Sequence, residues 1–182
     1  MPTMNLQPTL SSELILLRPL EESDFESLYA IASDPLVWEQ HPAKNRSERD
    51  VFKKLFQEFI ESRGTLLIVD RKTNEIIGSS RYYDYMPEEK SVAIGFTMLA
   101  RKYWGGTYNR VLKSMMLEHA FKSMDRVIFH VGAENIRSQK ALHKIGAMEF
   151  ERSVRVLPDG RQIPQVHYRI LRTEFRIRKM GS

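Results

Sequence analysis

The segment 101–109 carries the residue types best suited to holding an anion. It reads Arg-Lys-Tyr-Trp-Gly-Gly-Thr-Tyr-Asn and lies between an apolar run and an amphipathic pattern. Gly105 and Gly106 let the backbone come close to a ligand, and the unpaired N–H groups at a helix start point at that ligand along the positive end of the dipole. Arg101 and Lys102 add positive charge. The segment therefore predicts a loop that grips a phosphorylated cofactor.

Two glycines between a strand and a helix also occur in ordinary turns, so this loop alone does not define a site. The chain has neither the lysine-containing phosphate loop of nucleotide hydrolases nor the G-x-G-x-x-G fingerprint of dinucleotide-binding domains. The pattern therefore excludes these two classes and leaves open what other phosphorylated ligand the loop holds.

The composition is that of a globular chain and removes several kinds of chemistry. It has 182 residues, 42% of them hydrophobic, and no cysteine, which excludes disulfides, thiolate metal sites and a cysteine nucleophile. The histidines show no metal-ligand spacing with carboxylates, so no metal site is expected. The net charge is +5, but the basic residues are dispersed. Nucleic-acid binding is therefore not favoured.

No apolar run approaches the roughly 20 residues that a membrane span needs. The first nine residues contain no charged leader followed by an apolar stretch, the pattern of a signal peptide. From these two observations we expect a cytoplasmic protein with no membrane partner.

The hydrophobic periodicity predicts strands and helices that would position the loop. Ser23–Glu26 has a capping-box pattern that opens a first helix, and a second helix follows Ser47 and stops at Gly64. Helices are also predicted at 107–123 and 135–145. Strands are predicted at 14–17, 65–69, 76–83, 91–99, 126–131, 148–156 and 165–171. This order indicates an α/β (α+β) fold, with a mixed, mostly antiparallel sheet flanked by helices and one parallel crossover around the loop.

Four segments carry a resemblance to the GCN5-related N-acetyltransferases, and most closely to the branch of ribosomal-protein alanine N-acetyltransferases. They are residues 14–24 with 33–35, Ile94-Gly95-Phe96 followed by Tyr103-Trp104-Gly105, Asn135–Ser138 with Lys144 and Gly146, and residues 168–175. The match covers residues 10–176, which implies one acetyltransferase domain with terminal extensions at 1–9 and 177–182.

The resemblance implies acetyl-CoA as cosubstrate and direct acetyl transfer to a primary amine, either a protein N-terminus or a small molecule. A bulge in the strand 91–99 would splay it from its neighbour and expose the backbone amides of Met98 and Leu99 to the pantetheine arm. The remaining cofactor-binding residues implied are Lys102, Trp104, Gly105, Gly106, Thr107, Tyr108, Asn109, Asn135 and Ser138.

The implied catalytic residues are Asn135, near the reacting thioester, and Ser138, as the acid that protonates the leaving thiolate. An alternative role for Ser138 is to cap the first turn of its helix. The chain departs from the family pattern at Ala93, where many relatives have glutamate, at Thr107, where a glycine is usual, and at Leu142, where many have tyrosine.

The sequence does not assign the general base. Glu88 and Glu89 precede the strand 91–99, although residues at such a turn are usually solvated. Two other functions stay open: a CoA-binding regulatory module with little catalysis, which the missing glutamate at Ala93 allows, and a basic RNA- or ribosome-associated protein. Either a monomer or a homodimer is compatible with the sequence.

Overall fold

A computed structural model describes residues 3–157 and 159–175. Its strands form an eight-stranded sheet in the order β1-β2-β3-β4-β5-β6-β8-β7. They are β1 (Leu10–Ser11), β2 (Ile15–Pro19), β3 (Thr65–Asp70), β4 (Ile76–Met86), β5 (Ser91–Leu99), β6 (Arg126–Gly132), β7 (Met148–Val156) and β8 (Gln162–Leu171). Neighbouring strands are antiparallel except β5 and β6, which are parallel. The predicted mixed sheet with one parallel crossover is therefore confirmed.

Helices cover both faces of the sheet. They are α1 (Phe25–Ala32), α2 (Arg49–Glu61), α3 (Thr107–Ala120) and α4 (Ile136–Lys144), with 3-10 turns at Glu22–Asp24, Pro35–Val37, Lys44–Ser47 and Arg101–Tyr103. Apolar side chains of α3 and α4, among them Leu112, Met116 and Leu142, pack on one face. Those of α1 and α2, among them Leu28 and Phe56, pack on the other.

Three predicted helix boundaries differ from the structure. The capping box before α1 is formed by Glu21 and Asp24 and not by Ser23, because a 3-10 turn precedes the helix. α2 ends at Glu61, and the residue with a positive φ after it is Arg63, at 47°. Gly64 serves another purpose, because a Cβ at this position would lie 2.2 Å from the carbonyl oxygen of Tyr82. α3 ends at Ala120, three residues before Ser123.

A bulge in β5 creates the opening that the sequence predicted. Ser79 pairs with Met98 and Arg81 with Gly95, so β5 has one more residue than β4 between these pairs, and Phe96 there has a φ of 50°. The pairing of β5 with β6 stops at Ala93. From Ile94 to Leu99 the edge of β5 that faces β6 therefore lacks a neighbouring strand.

The two ends of the chain are only partly described. Met4 is buried in the core, and its N–H donates to the Tyr85 hydroxyl at 3.1 Å, so part of the predicted N-terminal extension packs on the domain. Residues 177–182 lie outside the described residues, and the domain bounds stay a prediction. Of the helices in residues 3–157 and 159–175, none has the length and apolarity to cross a membrane.

Candidate active site

The gap between β5 and β6 opens into a cleft of about 1020 Å³, named here the β5–β6 cleft. Three further parts of the chain line it: the start of α3, one side of α4, and the connection between α1 and α2 around Trp38 and Pro42. The parallel crossover places α3 directly after β5, so Trp104, Gly105 and Gly106 of the connecting loop line the cleft wall.

The loop presents backbone donors that have no protein acceptor. Gly106 is the N-cap of α3, and no side chain caps this helix. Gly105 has a φ of +71°, and an added Cβ at Gly105 or Gly106 would meet no atom within 4 Å. Among the described residues, the amides from Gly105 to Asn109 have no hydrogen-bond acceptor outside the helix. Because helix N-termini attract anions, this loop is suited to phosphate.

Most of the predicted site residues meet at the cleft, and two side chains do not. The cleft is lined by Met98, Leu99, Trp104, Gly105, Gly106, Thr107, Asn109, Asn135 and Ser138. The ammonium of Lys102 donates to Glu75 at 2.8 Å, and the Tyr108 hydroxyl donates to Asp70 at 3.0 Å. Both side chains therefore contact carboxylates of the β3–β4 hairpin and not the cleft, whereas the backbone amide of Tyr108 stays part of the predicted loop.

The positive charge at the cleft comes from residues that the sequence analysis did not assign to the cofactor, although Lys144 belongs to one of the four resembling segments. Arg101 forms an ion pair with Asp34, whereas Arg110, Lys140 and Lys144 line the cleft. Arg110 is the fourth residue of α3, and the two lysines stand one turn apart on α4. That four-residue spacing on an amphipathic helix was the available signal for a shared basic face.

Trp104 and Arg137 join the loop to the other cleft walls. The Arg137 guanidinium lies 3.9 Å from the centre of the Trp104 ring, whose Nε1 donates to the Leu99 carbonyl at 2.8 Å. Arg137 also donates from its side chain to the Val37 carbonyl and from its backbone to the Gln40 side chain. These contacts fix the loop, α4 and the α1–α2 connection relative to one another.

Asn135, and not Ser138, supplies the cap of α4. The Asn135 side-chain oxygen accepts a hydrogen bond from the Ser138 backbone N–H at 3.1 Å. The Ser138 hydroxyl is half-buried and has no hydrogen-bond partner among the described residues. The hydroxyl is therefore available to a ligand in the cleft, and the capping role considered for Ser138 belongs to its neighbour.

The carboxylates considered as bases do not reach the cleft. Ala93 is 1% exposed and ends in a methyl group, so this position supplies no carboxylate. Glu89 pairs with Arg126 at 3.1 Å, at the end of β5 opposite to the gap. Among residues 3–157 and 159–175, no cluster of three or more histidines and carboxylates could hold a metal ion.

A histidine stands at the gap instead. His130 lies on β6, two residues beyond the last residue that pairs with β5. The Tyr83 side chain crosses over Gly95 to reach it, with the hydroxyl 2.9 Å from His130 Nδ1. A Cβ at residue 95 would lie 2.9 Å from Tyr83 Cε1, so this crossing requires glycine. The contact between Tyr83 and His130 therefore links β4 to β6 across the face of β5.

The surroundings of His130 favour its neutral form. Burial lowers the pKa of His130 below its usual value, and the nearby His167 and Arg155 lower it further, while Asp84 and Glu151 raise it. Burial raises the pKa of the Tyr83 hydroxyl, so Tyr83 stays protonated. If Nδ1–H donates to the Tyr83 oxygen, Nε2 is left as a proton acceptor.

Lys113 is a second titratable group that the sequence analysis missed. It is 5% exposed and lies on the α3 side of the cleft, where its ammonium donates to the Thr97 hydroxyl at 2.6 Å. Burial lowers its pKa from 10.5 to about 7. No carboxylate among the described residues pairs with it, so folding at neutral pH requires this lysine either to bury an ammonium or to release its proton, and both cost free energy.

We expect Lys113→Met to raise the free energy of unfolding at pH 7 by about 2–4 kcal/mol. The wild-type protein gains stability as pH rises from about 7 to 10.5, because over that range the unfolded chain binds the proton that the folded protein has lost. The advantage of the variant should therefore shrink over that range. Urea unfolding at several pH values measures this, and Lys122→Met, at an exposed position shortly after α3, should give no such pH-dependent difference.

Comparison with known proteins agrees with this architecture. The acetyltransferase (GNAT) domain family matches residues 15–148. The chain is 24% identical over 169 residues to the uncharacterized N-acetyltransferase YnaD of Bacillus subtilis (strain 168), covering 91% of this chain and 98% of that protein. A second relative, the uncharacterized N-acetyltransferase YoaA of the same organism, is 23% identical over 146 residues, which cover 76% of this chain and 82% of that protein.

Two solved structures show the same fold. A putative acetyltransferase from T. thermophilus superposes with a TM-score of 0.73 at 27% identity, covering 95% of this chain and 94% of that one. Spermidine N-acetyltransferase from Vibrio cholerae, in complex with CoA and spermine, superposes with a TM-score of 0.70 at 17% identity, covering 90% and 99%. The chain belongs to the GNAT family of acetyltransferases, and it is an acetyl-CoA-dependent acyltransferase.

Proposed function

We propose that the protein binds acetyl-CoA in the β5–β6 cleft and transfers the acetyl group directly to a primary amine. The residues present suit this cofactor. The open gap beside Ile94–Leu99 suits an extended arm, and the uncapped start of α3 suits a diphosphate. Arg110, Lys140 and Lys144 supply charge for further phosphate oxygens.

The residue roles follow from their positions. The amides from Gly105 to Asn109 hold the diphosphate, and the β5 edge at Met98 and Leu99 holds the pantetheine arm. Acetyl-CoA, when bound, supplies an activated acetyl group on a sulfur leaving group. The free hydroxyl of Ser138 is the proton donor for that sulfur, and Asn135 positions Ser138 by capping the same turn.

The observation that carries the proposal is the position of His130 between two cavities. A second cavity of about 650 Å³ lies beyond the β5–β6 cleft, and both are lined by Phe96 and His130. Its other lining residues include Arg81, Tyr83, Asp84, Arg155 and His167. A volume of this size suits a small molecule or the first residues of a peptide.

We assign the second cavity to the amine acceptor and His130 to the general base. An amine attacks only after it loses its proton, and a neutral imidazole beside the gap is able to accept that proton. Tyr83 positions the imidazole ring through Nδ1. This assignment gives the chain a base although Ala93 supplies no carboxylate.

Acetyl-CoA at about 100 times its dissociation constant is expected to raise the unfolding free energy by about 2.7 kcal/mol, or roughly 5–10 °C in Tm. Thermal unfolding with and without acetyl-CoA measures this, and the comparison of CoA with dephospho-CoA, which keeps the diphosphate, isolates the contribution of the ribose phosphate alone. Thiol release should then depend on an added primary amine. Stabilisation without amine-dependent release would support the CoA-binding regulatory module, and no stabilisation would contradict both functions.

A further inference from the structure

We infer that the amine acceptor carries a carboxylate, which Arg81 and Arg155 bind in the second cavity. This inference rests on the proposed function and adds the substrate class. It assigns amino acids and short peptides with a free carboxyl group as acceptors, in preference to polyamines.

The surroundings of Arg81 are the first observation that supports a bound carboxylate. Its Nε is fully buried and has no hydrogen-bond partner among the described residues. The guanidinium lies 4.7 Å from the centre of the Phe96 ring, at the boundary between the two cavities. The Arg81 side chain as a whole is only half-buried and lines the second cavity, and its terminal nitrogens have no hydrogen-bond acceptor among the described residues, so a carboxylate bound there would supply one.

Arg155 lines the same cavity as Arg81, and Arg46 lines the adjoining β5–β6 cleft. Arg155 reaches the second cavity from β7. Arg46, from the α1–α2 connection, contacts His41 Nε2 at 3.1 Å and lies over the Trp38 ring. Burial lowers the pKa of Arg46 to about 10, and the charge of Arg155 contributes to that decrease. Arginines from two separate strands therefore line the second cavity, and Arg46 in the neighbouring cleft lies close enough to Arg155 for its pKa to be lowered by that charge.

None of these three arginines forms an ion pair within the described residues. The ion pairs found there involve Arg18, Arg49, Arg101, Arg126, Arg152, Arg161 and Arg172. The carboxylates nearby are Glu58, which attracts Arg46 and Arg81 without pairing, Asp84, which lines the cavity and attracts Arg81, and Glu151, which lies 3.5 Å from His167. Among the described residues, the lining of the second cavity therefore contains two arginines without an ion-pair partner and one carboxylate, Asp84.

Arg81 and Arg155 lie apart from the basic residues assigned to the cofactor phosphates. Arg81 and Arg155 line the second cavity and not the β5–β6 cleft, whereas Arg110, Lys140 and Lys144 line only the cleft. An anion at Arg81 and Arg155 would be close to His130, which lines the same cavity. An amine that also carries a carboxylate is the ligand whose two groups match these two positions.

The test compares acceptors that differ only in their carboxyl group. Ala-Gly and its C-terminal amide have the same amine, and spermidine supplies a polycation without a carboxylate. With saturating acetyl-CoA, we expect kcat/KM for the dipeptide acid to exceed that for the amide by about 10- to 100-fold. Faster acetylation of the amide or of spermidine would overturn the inference and leave the proposed function intact.

Substitutions of the two arginines test whether they cause the preference for the dipeptide acid over its amide. Arg81→Gln and Arg155→Gln should each raise KM for Ala-Gly by about 10-fold or more, with little change for the amide and none in the KM of acetyl-CoA. Arg152→Gln is the matched control, because Arg152 lies on the same strand as Arg155 but pairs with Glu149. Equal effects on the acid and the amide would contradict carboxylate binding.

A binding measurement separates this inference from the proposed function. N-acetyl-Ala-Gly and its amide are titrated by calorimetry into the protein saturated with CoA. We expect the acid to bind at least 10-fold more tightly and Arg81→Gln to abolish the difference. Tighter binding of the acid would support the carboxylate site even if no amine were acetylated, whereas equal binding would overturn it.

Discussion

His130→Gln is expected to lower kcat by about 100-fold or more without changing the affinity for acetyl-CoA. Glutamine retains a polar group that can contact Tyr83 but cannot accept a proton from the amine. Steady-state kinetics with a saturating acceptor measures kcat, and the thermal shift with acetyl-CoA reports whether the cofactor site is intact. His143→Gln is the control, because His143 is exposed on α4 and lines neither cavity.

The pH dependence provides a second readout for the same residue. Burial and His167 hold the pKa of His130 below its usual value, and a base must be neutral to act. Activity of the wild-type protein should therefore fall as pH drops through a pKa below the usual histidine value of about 6.5. The groups that face His130 are Tyr83 and Asp84 from β4, His167 from β8, and Glu151 and Arg155 from β7.

His130→Gln should lose this acidic limb and retain whatever pH dependence the amine itself imposes. Tyr83→Phe should keep the limb with a smaller loss of kcat, because it removes only the partner of Nδ1. A variant that retained the full rate and the wild-type pH profile would show that His130 is not the base.

Gly105→Val is expected to raise the dissociation constant of acetyl-CoA by about 10- to 100-fold, measured by calorimetry. Gly105 has a φ of +71°, a region that β-branched residues strongly avoid. The added side chain would meet no protein atom within 4 Å, so it would occupy the space in front of the free amides. Both the loop geometry and the approach of the diphosphate should suffer.

Gly160→Val provides the matched control for backbone strain. Gly160 has a φ of +81° with nothing within 4 Å, and it lies in the β7–β8 turn, away from the cleft. Both variants should lose about 1–2 kcal/mol of unfolding free energy. Only Gly105→Val should lose affinity for acetyl-CoA, and equal affinities in the two variants would contradict the assigned diphosphate position.

Features that depend on local sequence were predicted well. The hydrophobic periodicity located β5 at Ser91–Leu99 and the start of α3 at Thr107, because side-chain pattern and glycine position act within a few residues. The bulge and the gap beside β5 followed from the family resemblance and are present. The branch of ribosomal-protein alanine N-acetyltransferases and the roles of Asn135 and Ser138 stay predictions.

Side-chain partners far apart in the sequence were not predicted. Lys102 and Tyr108 belong to the anion-binding segment, yet their side chains contact carboxylates at 75 and 70 on the β3–β4 hairpin. Whether a loop side chain faces a ligand or a neighbouring hairpin depends on the packing of both, which spacing along the chain does not encode.

The sequence by itself determined the family, the order of the strands and helices, and the uncapped, glycine-containing start of α3, because periodicity, turns and backbone freedom are local properties. Only the tertiary structure decided that His130 stands at the open gap, that Tyr83 reaches it across Gly95, and that Arg81 and Arg155 share one cavity. These groups come from strands that meet through sheet register and the β5 bulge, and the bulge is stabilised by packing on both faces of the sheet.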